Sequence, residues 1–322
     1  MKKIIITAYK ISKNKIEVEV SEKNDFGYLT IYQSKLNDVY LTPKNINDFV
    51  KTSKNKIETL IQGKIKDVVI FLDDESLITT KIFNLNKDVK TKLNDIKLWS
   101  SWSKLKMFNH KFINNNLFVN FIKLDFYNKL NYIMDKNHLR IAKLYDLDSL
   151  RLLSSDLAKQ QKLATFVSLD KSNLKIKVYL HNQLIKSDII DLEIYEFSNL
   201  LSDKQLLNFN LNLVKDFQID NYLSSLRKIV KSSVKQTLGN STLKFLQKNN
   251  IFLFQSSELI KKNMFDENFI LVKRKNDFIS SEMAGLIYLI DKPIKNVDNK
   301  LSLTAEMFMI DIKQNWHQYY IN

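Results

Sequence analysis

Alternating apolar and polar positions open the chain. Residues 3–9, 15–20 and 28–33 are rich in β-branched and aromatic side chains, and KIEVEV at 15–20 alternates strictly. Three successive strands are predicted there, the last two joined by the turn EKNDFG. A helix is predicted next. Thr42 is placed to cap it, Pro43 suits its first position, and Gly63 suits its end. Ile46, Phe49, Val50, Ile57, Leu60 and Ile61 share one face of it. The apolar run KDVVIFL then reads as a buried strand. Residues 1–72 therefore read β-β-β-α-β.

Residues 73–135 differ. DVKTKLNDIKLWSSWSKL has helical character, and KFINNNLFVNFIKLDF reads as a hairpin with an asparagine-rich turn. Trp99 and Trp102 lie three apart, which favours a packed helix face over a ligand platform. Residues 141–160 read as helical. ATFVSLDKSNLKIKVYLHNQLIKSDII then gives three more strands, an echo of the opening. A helix is predicted around 220–238, ending at Gly239. NNIFLFQSS and FILVKR read as strands, and SSEMAGLIYLI as a helix.

The chain holds four glycines, Gly27, Gly63, Gly239 and Gly285. That scarcity matters at the turns of the two hairpins IITAYKISKNKIEVEV and TFVSLDKSNLKIKVYL. A backbone that approaches a phosphate closely, often at positive φ, needs glycine. These turns carry lysine, serine and asparagine instead.

The order of segments resembles the FtsA family, the bacterial actin-like cell-division proteins, over nearly the whole chain. The resemblance lies in pattern, with few identities. The first hairpin is similar to the family's first phosphate loop, D-I-G-T-S-K-V-K. Lys10 stands in place of its aspartate and Ser12 in place of its glycine, while Lys15 is kept. The second phosphate loop, D-I-G-G-G-T-T-D-I, corresponds to Ser168, Leu169, Asp170, Lys171, Ser172, Asn173, Leu174, Lys175 and Ile176. The adenosine-side glycines correspond to Gln255, Ser256 and Ser257 after IFLF. SSEMAGLIYLI is similar to the family's late A-x-x-x-G-L helix, with Gly285 retained. NHLRIAKLYDLDSLRLL is similar to the helix before the second half.

The resemblance implies an α/β fold of actin-like (ribonuclease H-like) type, with duplicated β-β-β-α-β domains and a small inserted subdomain. It implies a first lobe of residues 1–72 and 136–163, an inserted subdomain at 73–135, and a second lobe at 164–290 with a shortened inserted region. A linker at 291–300 and an amphipathic helix at 301–322 follow. Three degenerate loops imply that no ATP or other cofactor is held in the family's way. Lys10 and Ser168 in place of carboxylates imply no metal. Lys10, Lys171 and neighbouring polar groups are expected to fill the cleft; ATP density there in a crystal would overturn this.

Composition adds exclusions. With no cysteine there is no disulfide or thiolate site. Lys and Arg number 50 against 35 Asp and Glu, a formal +15, but only four are arginines: Arg140, Arg151, Arg227 and Arg274. The lysines are dispersed, which argues against a specific nucleic-acid site and for general attraction to anionic lipid. His110, His138, His181 and His317 have no zinc spacing, and no Walker A, G-x-S-x-G or G-x-G-x-x-G pattern occurs. Asp73 and Asp74 read as a turn and helix start after a strand. Asp146 and Asp148 read as surface charge on a helix.

In the tail, Ala305, Phe308, Met309, Ile312, Trp316, Tyr319 and Tyr320 fall on one helical face, with Lys313 the one cation near them. The stripe suits a lipid-facing helix or one docked on the body. The family's membrane-targeting helix favours the first, with Phe308, Met309, Ile312, Trp316, Tyr319 and Tyr320 as lipid contacts. Deleting 301–322 is then expected to abolish liposome binding and leave the fold intact. The function implied is a cytoplasmic scaffold, peripheral on the inner face of the cell membrane. It would tether filaments of the tubulin-like FtsZ without hydrolysing ATP, and copies of it would associate into filaments. The alternatives are an active actin-fold ATPase or sugar-kinase-like enzyme with remodelled loops, or an actin-like scaffold of another assembly system.

Overall fold

The computed structural model describes residues 2–37, 41–84, 89–113, 116–155, 163–169, 173–180, 183–191, 251–255, 269–271, 279–291 and 305–311. The chain forms two compact units, Met1–Leu150 with Arg274–Asn322, and Arg151–Lys273.

The first unit is built on strands β1 (Lys2–Ser12), β2 (Lys15–Asn24), β3 (Gly27–Asn37), β4 (Asp67–Leu72) and β8 (Arg140–Asp146). They lie in the order β3-β2-β1-β4-β8. β1–β2 and β2–β3 are antiparallel hairpins, while β4 and β8 run parallel to β1. Alternation along β1 serves both faces. Ile5, Tyr9 and Ile11 point to one side with Ile16, Val18 and Val20 of β2. Helices α1 (Pro43–Ile61) and α3 (Leu124–Lys136) cover that side through Ile46, Val50, Ile57, Leu130 and Ile133. Ile6 and Ala8 point to the other side, with Val69 and Phe71 of β4. Helices α4 (Leu147–Ser154) and α5 (Ser281–Asp291) cover it through Leu147, Leu150, Met283, Leu286 and Ile290. The α5 helix, assigned above to the second lobe, thus packs into the first. Its Gly285 lies against the backbone of Leu150.

Thr42 caps α1 as predicted, its hydroxyl accepting from the Asn45 N–H at 3.2 Å. The left-handed closing residue is Gln62, at φ 52°, and not Gly63. Residues 141–160 do not form one helix. RIAKLYD pairs with β4 as strand β8, and the helix starts only at Leu147. The pairing partner outweighs a helix-like local pattern there.

Within the first unit, 73–135 contributes β5 (Ile78–Asn84), α2 (Val89–Trp102), β6 (Leu105–Ile113) and β7 (Asn116–Lys123). The strands form a separate antiparallel sheet in the order β5-β7-β6. Trp99 packs edge-on against Phe83 and Phe121, at centroid distances of 5.9 and 5.5 Å. Trp102 does not join it and is 83% exposed.

The second unit repeats the first sheet. β9 (Leu163–Leu169), β10 (Asn173–Leu180), β11 (Gln183–Asp191), β12 (Ile251–Gln255) and β13 (Phe269–Leu271) lie in the order β11-β10-β9-β12-β13. The register repeats as well. Thr7 faces Val20 in β1–β2, and Thr165 faces Val178 in β9–β10. The register of the second strand against the third slips just after each of those valines. Even the side chains echo, since Thr7 and Thr165 are both buried with unpaired hydroxyls. The predicted helix at 220–238, Gly239 and the shortened inserted region lie outside the described residues.

The tail departs from expectation. Residues 305–308 form a single 3₁₀ turn, and Met309–Asp311 form strand β14, antiparallel to the start of β1. Phe308, expected on a lipid-facing stripe, is 2% exposed in the core beneath β1 and β4. Met309 is exposed. Ile312, Trp316, Tyr319 and Tyr320 lie outside the described residues. The physical reason is local. Met-Ile-Asp completes an open stretch of β1's edge, and Phe308 gains more by core burial than a helix stripe gains at a surface.

Candidate functional site

Lys10 is the next residue after Ala8 on the face of β1 covered by α5. It stands near the carboxyl end of a strand, where ligands of α/β sheets bind. On the same face the neighbouring β2 presents Glu17 and Glu19, because the alternation that buries Ile16, Val18 and Val20 turns the glutamates the other way. Lys10 faces Glu17 across the strand pair. Its Nζ lies 3.4 Å from Glu17 Oε2, 3.4 Å from Glu282 Oε1 and 3.9 Å from Asp73 Oδ2. Lys15 reaches the other oxygen of Glu17 at 2.5 Å.

In the ion pairs of the described residues, two lysines face the carboxylates of Glu17, Asp73 and Glu282. The side chains are only 11–35% exposed, so screening by water is incomplete. An anion approaching Lys10 would compete with these carboxylates for its ammonium. The amino end of α5, where an anion could otherwise dock, is already occupied. The Ser280 hydroxyl accepts from the Met283 N–H at 3.1 Å, and Glu282 sits in the first turn. The Glu19 carboxylate accepts from the Ser280 N–H at 3.1 Å, the Ser280 hydroxyl at 2.5 Å and the Thr30 hydroxyl at 2.9 Å.

The turn after Lys10 is short. Ser12 pairs with Lys15 across two residues, and its hydroxyl donates to the Lys15 carbonyl at 3.3 Å. Among the described residues the non-glycine positions at positive φ are Gln62, Lys104 and His138. The hairpin therefore turns without a left-handed residue, and needs no glycine.

In the second unit Ser168 is buried, at the register position matching Lys10. Leu169 pairs with Leu174, as Ile11 pairs with Ile16, so four residues separate the paired positions in both hairpins. Asp170, Lys171 and Ser172 lie outside the described residues, as do Ser256 and Ser257. Gln255 ends β12, beside Leu169.

Asp74 starts a 3₁₀ turn at Glu75–Leu77, accepting from the Ser76 N–H at 2.9 Å, as the turn reading predicted. Asp73 has a further role that this reading missed, as a partner of Lys10. Asp146 and Asp148 are corrected. They are 4% and 1% exposed, not surface charges. Asp146 ends β8 and accepts from the Ser149 N–H at 3.0 Å, capping α4. Glu17, Glu19, Ser280 and Glu282 went unnoticed as well. The strict alternation of KIEVEV held the signal for the first two. Among the described residues, no group of three or more acidic or histidine side chains is placed to hold a metal ion.

A Lys10→Ala variant tests the cluster. Three carboxylates would lose their shared cation, at a cost of about 1 kcal/mol for partly exposed groups. The melting temperature should fall at low salt and recover toward wild type at high salt, which screens the repulsion. An equal fall at both salt levels would mean that packing, not charge, is what Lys10 supplies.

No family model matches the sequence. No curated protein matches it either. Solved structures match over most of the chain. A structure of the PilM-PilN type IV pilus biogenesis complex aligns with TM-score 0.56 at 8% identity, over 87% of this chain and 89% of the other. MreB5 of Spiroplasma citri bound to ADP aligns with TM-score 0.51 at 9% identity, over 92% of this chain and 99% of the other. With its two sheets in the same strand order and register, the chain has the actin-like ATPase fold.

Proposed function

We propose that this chain is an actin-fold scaffold that works by holding partners together at a membrane and not by hydrolysing ATP. The observation that carries this reading is Lys10 locked among Glu17, Asp73 and Glu282. In the FtsA-like alignment that position begins the first phosphate loop. A cation tied to three carboxylates there neither coordinates a metal nor cradles a phosphate. What remains is a folded body with surfaces to offer.

The FtsA resemblance makes FtsZ filaments the proposed partner and the inner face of the cell membrane the proposed location. Weak contacts to each, multiplied along a filament, hold firmly through effective concentration. A second reading, a scaffold of another assembly system, is favoured by the likeness to the PilM-PilN complex, with 8% identity over 87% of this chain.

Two measurements test the proposal. Calorimetry with magnesium ATP is expected to show no binding; a saturable heat would restore the active ATPase or sugar-kinase-like reading. Flotation with liposomes and FtsZ from the same organism is expected to carry FtsZ up only when this protein is present. If the protein floats and FtsZ stays behind, the second reading takes over.

A further inference from the structure

One large apolar side chain is fully exposed on a part of the first unit built to hold it. The β2–β3 hairpin turns through Asp25 and Phe26, between paired Asn24 and Gly27. The Asn24 side chain accepts from the Phe26 N–H at 3.0 Å, and Gly27 holds φ at 127°, a conformation that suits only glycine. The base is braced to the end of α5. Tyr28 donates to Asp291 at 3.3 Å, and Lys23 lies 3.6 Å from Asp291 and 5.4 Å from the Tyr28 ring. Beyond that brace, Phe26 is 100% exposed. Turn chemistry favours asparagine, aspartate, glycine, proline or serine there and gives no reason for phenylalanine.

Strand directions give the tip its setting. β2 runs antiparallel to β1, so the β2–β3 tip lies beyond the end of the sheet where β1 begins. β14 also runs antiparallel to β1, with Asp311 opposite Lys2. β14 therefore ends, at Asp311, at that same end, and Ile312, Trp316, Tyr319 and Tyr320 follow it in sequence. The Lys10 cluster lies at the opposite end. Membrane binding by an amphipathic segment scales with buried apolar area and with attraction to anionic lipid, so a short segment with one lysine gains from a further apolar contact.

We propose that this end of the first sheet rests on a lipid bilayer, with Phe26 inserted as a contact of the folded body in addition to the tail. The inference depends on the membrane reading above, and the test separates the two. The chain has no cysteine, so Phe26→Cys in the full-length protein carries a polarity-sensitive dye at one site. Lys13→Cys, in the exposed turn at the far end of β1 and β2, is the control. With phosphatidylethanolamine–phosphatidylglycerol vesicles, the dye at 26 should shift to the blue and the dye at 13 should not. Phe26→Ser should weaken vesicle partition about tenfold. If the protein floats while the dye at 26 keeps its aqueous emission, the proposal falls and the membrane reading stands. A shift at 13 instead turns the molecule over and also sinks it. A shift at 26 caused by raising protein concentration without vesicles identifies a second copy as the occupant and overturns the lipid assignment. If nothing floats, both readings fall together.

Discussion

Gly285→Ala is expected to destabilise the first unit more than any other single added methyl group on α5. A Cβ at this position would lie 2.0 Å from the Leu150 carbonyl oxygen, 2.7 Å from its carbon and 3.0 Å from its Cα. All three are backbone atoms, so no rotamer change relieves the clash. Either α4 or α5 must move, and both are pinned. Leu147, Leu150, Met283 and Leu286 are fully buried against the sheet, and Ser280 is tied to Glu19. Overpacking of this kind costs roughly 1–3 kcal/mol or more. Alanine's better helix propensity offsets about 1 kcal/mol of it. A 2.0 Å approach to backbone belongs at the upper end of that range, which leaves about 2 kcal/mol, so the melting temperature should fall by roughly 4–8 °C at about 2–4 °C per kcal/mol for a body of this size. Gly63→Ala, at a glycine outside positive φ, should leave melting nearly unchanged. Equal effects at the two positions would mean that the helices are not in backbone contact.

That glycine shows what kind of information the sequence held. The resemblance named Gly285 as retained but could not say why, because its reason lies in another helix 135 residues away. Periodicity captured what depends on one segment. The three opening strands, the capped α1 and the repeated strands after 163 follow from local alternation and turn residues, and the hairpin read at 111–126 is found with its first strand starting earlier, at Leu105, and its second ending at Lys123. It failed where a partner decided the outcome. RIAKLYD has a helix-like composition and becomes a strand because β4 offers it an edge. The site was half legible. Aligning Lys10 with a phosphate-loop aspartate pointed to the residue at its centre. The partners came from β2, β4 and α5, whose convergence is a property of the fold. The buried Asp146 was hidden by the same misread strand.

The tail carries the second large prediction. A chain ending at residue 300 is expected to fold poorly, contrary to the inference from sequence that 301–322 is dispensable. That deletion strips Phe308, 2% exposed, and Ile310, 8% exposed, from the core. It also unpairs Lys2, Lys3 and Ile4 of β1 from Asp311, Ile310 and Met309. Loss of one buried phenylalanine alone costs roughly 3–5 kcal/mol, a large part of a typical domain's stability. A chain ending at residue 311 keeps every one of these contacts. With those contacts retained, it should melt within about 2 °C of the full chain. The shorter chain should melt at least roughly 6–12 °C lower, by the same scale applied to about 3 kcal/mol. Scanning calorimetry on the three proteins decides this, and identical melting of the 300-residue chain would show that Phe308 adds nothing to the core. The comparison also changes how the membrane role is measured. Failure of the 300-residue chain to float would reflect damage to the sheet as much as loss of a lipid contact. Only the 311-residue chain separates the two, because it removes Ile312, Trp316, Tyr319 and Tyr320 and leaves β14 paired. Reduced flotation of that chain, at unchanged melting temperature, is the result expected of a lipid-binding tail. Undiminished flotation would leave the contact to the body alone.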